Sequence, residues 1–120
     1  MDDLTGLLNR YTAAKMIRDE LANSDKLQGM LMIGLKPDRE ENAKEEIAQI
    51  QKEFAQKLRK AFRKSDVVSR FIDNEFVVFM TQIPSVDFLR KRCQTIMDET
   101  AKLKDKCGQD VYCHIGAVAI

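Results

Sequence analysis

Histidine occurs once in this 120-residue sequence, and cysteine three times, at Cys93, Cys107 and Cys113. The cysteine count is odd and no C-x-x-C pair exists, so neither a disulfide framework nor a zinc set can be assembled from these residues. The three read instead as small buried thiols in a reducing cytosol. An excess of one charge is also missing. Lys plus Arg number 20 and Asp plus Glu 19, so composition argues neither for a nucleic-acid partner nor for an acidic solvating arm. No apolar run approaches the roughly 18 residues of a membrane span. The opening "MDDLTGLLNR" lacks the basic start and apolar centre of a signal peptide. No repeat, linker or low-complexity segment is visible. What remains is an ordinary globular balance, 44% hydrophobic and 32% charged. One domain of this length can bury a core without disulfides or metals.

The periodicity gives an order of elements. "YTAAKMIRDELAN" places Ala13, Met16, Ile17 and Leu21 on one helical stripe. "QGMLMIGL" is nearly continuous in apolar residues, which predicts a strand buried on both faces with Met30 and Met32 in the core. A helix is predicted over residues 40–63, with Ile47, Ile50, Phe54, Leu58, Ala61 and Phe62 inward and Glu and Lys interleaved outside. "SDVVSRF" and "EFVVFM" form a hairpin around a short polar tip. A second long helix starts at Pro84 and Ser85, turns Leu89, Cys93, Ile96, Met97, Thr100 and Leu103 inward, and stops at Gly108. "DVYCHIGAVAI" is the last strand. Without the first helix the order is βαββαβ, the ferredoxin-like split unit: an α+β fold with a mainly antiparallel sheet and helices on one face.

Two motifs, in order, resemble one family. "DDLTGLLNR" fills every fixed place of the D-x-L-T-G-L-x-N-R opening of GGDEF domains, the diguanylate cyclase family, with Asp2, Leu4, Thr5, Gly6, Leu7, Asn9 and Arg10. "SDVVSRFIDNEFVVFM" is similar to the family's hairpin, D-x-x-x-R-[YF]-G-G-[DE]-E-F, through Asp66, Arg70, Phe71, Glu75 and Phe76. "HIGAVAI" resembles the S-I-G strand, with His114 for serine. The resemblance spans nearly all of the chain. It implies a cyclase-type palm with a ferredoxin-like core. It also implies chemistry in which two GTP molecules, one on each subunit of a dimer, become cyclic di-GMP with metal ions on the phosphates.

The parts of that chemistry can be compared one at a time. The family's D-x-D at the end of the first strand falls on Gly34 and Lys36. Glycine supplies no ligand, and lysine repels a divalent cation. The hairpin's metal carboxylate falls on Asn74, a neutral amide. Glu75 and Phe76 keep their places, and Asp73 is a new carboxylate. Ile72 and Asp73 replace the glycines that admit phosphate and ribose to the backbone. Asp73-Asn74 still makes a sound turn. Asn42 falls on the base-reading asparagine, in a segment a few residues shorter than in relatives. The G-H-x-x-G-D loop is replaced by continuous helix. The closing helix of the family, with its lysine and arginine, would follow Ile120.

One family feature survives in "RKSD": Arg63 and Asp66 fit the R-x-x-D product-binding site before the hairpin, where an arginine fork grips phosphate or guanine. The plain alternative is a basic helix C-terminus at Arg63 and a strand start at Asp66. Arg90 and Arg92 lie where relatives supply a further arginine, while His114 reads as a structural or surface histidine.

Four readings stay open at this level. The first is a catalytically silent GGDEF-like domain, residues 1–120, acting by domain interaction or dimerisation inside a larger bacterial signalling protein in the cytoplasm. The second is a cyclic di-GMP receptor through Arg63 and Asp66. The third is an active cyclase, which alone would require Mg²⁺. The fourth is an unrelated ferredoxin-like domain. Cyclic di-GMP, domains of the same chain and a second copy are the expected partners, with no nucleic acid and no direct membrane contact.

Overall fold

Stretches rich in Val, Ile, Phe and Met form the strands of the computed structural model, which describes residues 1–39 and 42–120. The elements are α1 (Arg10–Asn23), β1 (Gly29–Pro37), α2 (Lys44–Ala61), β2 (Val67–Ile72), β3 (Glu75–Met80), α3 (Val86–Ala101), α4 (Lys104–Cys107) and β4 (Val111–Ala119). The strands make one antiparallel sheet in the order β2-β3-β1-β4. This is the expected α+β palm with its split βαββαβ core. No helix among the described residues is long and apolar enough to cross a membrane.

Local chemistry sets the helix ends. Asn9 accepts from the Thr12 amide and starts α1, and Ser85 accepts from the Phe88 amide and starts α3. In α2 no side chain of the described residues caps the start, but Glu45 and Glu46 lie in the first turn and Arg59 and Lys60 in the last, each favoured by the helix dipole. The helix begins at Lys44, later than the predicted residue 40; Glu40 and Glu41 lie outside the described residues. The predicted stop at Gly108 is also displaced. Helix α3 ends at Ala101, and Gly108, at φ 70°, closes the separate turn α4.

The main core lies on one face of the sheet. Leu31, Ile33, Phe76, Val78 and Met80 meet Ile50, Phe54 and Leu58 of α2 and Leu89 and Ile96 of α3. The Phe54 and Phe76 rings cross edge to face at 5.0 Å. At Gly29 a Cβ would come within 2.9 Å of Leu89 Cδ1, so only glycine lets α3 approach there without displacing a side chain. On the opposite face α1 sets Ala13 and Ile17 against Val67, Val77 and Phe79.

Helix α1 packs on β2 and leaves β1 and β4 largely open behind, which corrects the expectation that β1 is buried on both faces. Burial alternates along it: Leu31, Ile33 and Leu35 are buried, Met30 is half-buried, and Met32 is 60% exposed. Met16 and Leu21 of α1, and Met97 of α3, likewise face outward rather than inward. The three cysteines sit half-buried against the main core, and burial pushes each thiol's pKa up.

Candidate functional site

The hairpin tip is a two-residue turn, Asp73-Asn74, between paired Ile72 and Glu75. Asp73 adopts φ 47°, which aspartate tolerates better than a branched residue would. Ile72 is exposed, and Phe76 is fully buried beneath Phe54. The Asn74 carbonyl accepts from the Leu35 amide at 2.9 Å, which binds the tip to β1.

A polar chain ties this tip to the N-terminal turn. Gln51 of α2 is buried. Its Nε2 donates to the Asn74 Oδ1 at 2.6 Å and to the Asp73 carbonyl at 3.0 Å. Its Oε1 accepts from Arg70 Nη2 at 3.3 Å. Arg70 also donates from Nε to the Asp73 carbonyl at 2.9 Å and from Nη1 to Asp2 Oδ1 at 3.1 Å. The other Asp2 oxygen accepts from the Thr5 amide and hydroxyl. Burial pushes the Asp2 pKa up, but the Thr5 hydrogen bonds and the Arg70 charge outweigh it and hold the carboxyl below its usual value. The two motifs read separately in the sequence therefore meet through the Asp2–Arg70 ion pair.

Sequence reasoning did not find Gln51. The available signal was a polar residue at helical spacing from Ile47 and Leu58, on the inward stripe of α2.

At the end of β1 the arrangement differs in kind. Gly34 is flanked in register by Glu75 on β3 and His114 on β4, and Lys36 by Tyr112. His114 is exposed, the surface one of the two readings left open for it. A cleft of about 710 Å³ is lined by Lys36, Arg39, Asn42 and Asn74. Arg39 is paired with Glu46 at 3.0 Å. Both ends of the Asn42 amide are engaged: Nδ2 donates to the Arg39 carbonyl at 3.0 Å, and Oδ1 accepts from Gln109 Nε2 at 2.8 Å.

A divalent cation needs several hard oxygen ligands. The cleft presents two cations and two engaged amides, and among the described residues no group of three or more His, Cys, Asp or Glu side chains is placed to hold a metal. These residues do not fit a Mg²⁺ site. Space is not the obstacle, because a Cβ at Gly34 would meet no atom within 4 Å.

Arg63 and Asp66 are brought together at the turn between α2 and β2. Arg63 Nη2 lies 3.2 Å from Asp66 Oδ1, and the Arg63 amide donates to Asp66 Oδ2 at 2.9 Å. The Asp66 side chain is 2% exposed and the Arg63 side chain 54%. Arg63 Nη2 also donates to the Gln82 carbonyl at 2.6 Å. Of the two arginines on α3, Arg92 reaches this end of α2, donating to the Ala61 carbonyl at 3.1 Å with its guanidinium 5.2 Å from the Phe88 ring centre. Arg90 is exposed and pairs with Asp87 on its own helix.

Residues 45–120 match the family model described as diguanylate cyclase, GGDEF domain. No curated protein matches the sequence. Among solved structures, the GGDEF domain of FimX from Pseudomonas aeruginosa superposes with a TM-score of 0.84 at 16% identity, covering 100% of this chain and 79% of that one. The GGDEF domain of DgcB from Caulobacter crescentus, solved in complex with c-di-GMP, gives 0.85 at 12% identity, over 100% of this chain and 77% of that one. The diguanylate cyclase SiaD from Pseudomonas aeruginosa, solved with its activator SiaC, gives 0.80 at 19% identity and 99% of this chain. The chain spans about half of SiaD, 49% of its length. At these identities the structural likeness speaks for the fold.

Proposed function

Because the chain belongs to the GGDEF domain family of diguanylate cyclases, we propose that it is a catalytically silent member serving cyclic di-GMP signalling, a regulatory domain that acts through domain interaction or dimerisation. It is then one domain, residues 1–120, of a larger bacterial cytoplasmic signalling protein. The observation that carries the reading is the absence of carboxylates at Gly34, Lys36 and Asn74, with the Asn74 amide already engaged by Gln51. Phosphoryl transfer between two nucleotides finds no metal clamp among the described residues there. Contact with a protein partner has a parallel in SiaD, a diguanylate cyclase that was solved with its activator SiaC. The test is incubation with GTP and Mg²⁺ or Mn²⁺. No cyclic di-GMP is expected, and its appearance would overturn the reading in favour of an active, Mg²⁺-using enzyme.

A second reading rests on a different observation, the meeting of Arg63, Asp66 and the end of α2 with Arg92. It makes the domain a receptor for cyclic di-GMP, the ligand found on DgcB. Binding requires Arg63 to give up the Gln82 carbonyl and Asp66 to turn outward. Calorimetry with the dinucleotide decides it: heat that disappears on Arg63→Ala supports the receptor, and no heat from the parent protein excludes it.

A further inference from the structure

We propose that the cleft between the N-terminal turn, α1 and the second half of α2 docks an acidic peptide segment through a large apolar side chain. The cleft is about 620 Å³. Gly6 helps to form it: at φ 75° the chain turns back so that the Gly6 amide reaches the Asp2 carbonyl, and the side where a Cβ would stand is open. Its floor is apolar, built from Leu8, Met16, Ala55 and Val68.

The rim is positive. Arg59, Lys60 and Lys64 line it, and none of them pairs with a carboxylate among the described residues. Among the described residues Asp66 is the only carboxylate in the lining, and Arg63 is paired with it. On the α3 side the opposite holds: Lys57 is paired with Glu99, and Lys106 of α4 with Glu53. Of the rim cations, Arg59 and Lys64 line this cleft alone, while Lys60 also borders the groove toward α3. Arg59 is also fixed in place, because it donates to the Arg63 and Asp66 carbonyls.

This combination selects its occupant. A bare inorganic anion would satisfy the rim and leave the floor wet. A neutral apolar segment would fill the floor and leave three cations unmatched. A flat anionic bilayer meets the rim without entering the recess. A peptide with carboxylates flanking Leu or Phe satisfies both parts.

The inference goes beyond the functional reading above. The measurement contains no nucleotide, so its failure leaves the turnover and calorimetry results standing. The probe is fluorescein-labelled Glu-Asp-Leu-Glu-Phe-Asp, titrated with the whole chain by fluorescence anisotropy. Saturable binding is expected, weakened by added salt and weakened about tenfold or more by Lys60→Glu with Lys64→Glu. Both positions are exposed, and unchanged circular dichroism would show that the variant folds. Amide shift changes should gather at Gly6, Ala55 and Arg59. Several outcomes overturn the proposal: no binding, equal binding of the same peptide with Ser for Leu and Phe, shift changes gathered on α3 instead, or capture by phosphatidylglycerol vesicles without peptide binding.

Discussion

Arg70 and Asn74 stand on the same hairpin, yet their surroundings have diverged. Arg70 keeps its motif partner, Asp2, and rests above a core that includes Phe76 and Phe54. Asn74 occupies a place where relatives put a metal carboxylate, and its amide instead bonds to Gln51 inside the same molecule. The stem side of the motif is held by burial and by an ion pair, which no substrate or metal is needed to maintain. The tip side answers to ligands in the family, and there the Asn74 amide holds an internal hydrogen bond where a carboxylate would stand. Under the proposed reading a scaffold persists without its chemistry, because the two depend on different residues.

The sharpest way to break this comparison is at the stem. Phe76→Ala should cost about 3–5 kcal/mol, read as a shift in the urea midpoint. A loss under about 1 kcal/mol would mean that the stem is not anchored in the core. Arg70→Ala leaves Asp2 half-buried beside an absent cation and should cost about 1–3 kcal/mol by the same assay.

The pH dependence follows from Asp2. Its folded pKa is depressed, so its contribution is present above the unfolded aspartate value of about 4 and is lost as pH falls through the lower folded value. Asp2→Asn should therefore flatten the acid limb of a stability–pH curve and leave its neutral slope unchanged. An acid limb identical to the parent's would show that Asp2 is not held as described.

The smallest effect on stability should come from rebuilding the tip. Gly34→Asp, Lys36→Asp and Asn74→Asp together should change stability by about 1 kcal/mol or less. Gly34 has open space around it, and a carboxylate in place of the Asn74 amide can still accept from Gln51. The triple variant should gain Mn²⁺ binding, seen as paramagnetic broadening of the Glu75 and Leu35 amides. Equal broadening in the parent protein would erase the distinction between stem and tip.

Much of the fold was legible because burial on the α2–α3 face is nearly complete. Ile50, Phe54 and Leu58 repeat at helical spacing, and the apolar run of β3 is buried from Phe76 to Met80. The misplaced methionines share one cause. Met16, Met32 and Met97 are apolar and fall on plausible stripes, but sequence periodicity does not tell how far a neighbouring helix reaches across a sheet. The site divides along the same line. Gly34, Lys36 and Asn74 could be judged from residue type alone, because ligand chemistry is written in the side chain. The engagement of Asn42 by Gln109, and of Asn74 by Gln51, depends on residues 67 and 23 positions away, and no local pattern announces it.

Gln51 has one more consequence. Its two amide ends reach Arg70 on the stem and Asn74 at the tip, so the N-terminal turn, α2 and the hairpin are braced like the members of a truss. A joint of this kind ties the position of the tip to that of the N-terminal turn.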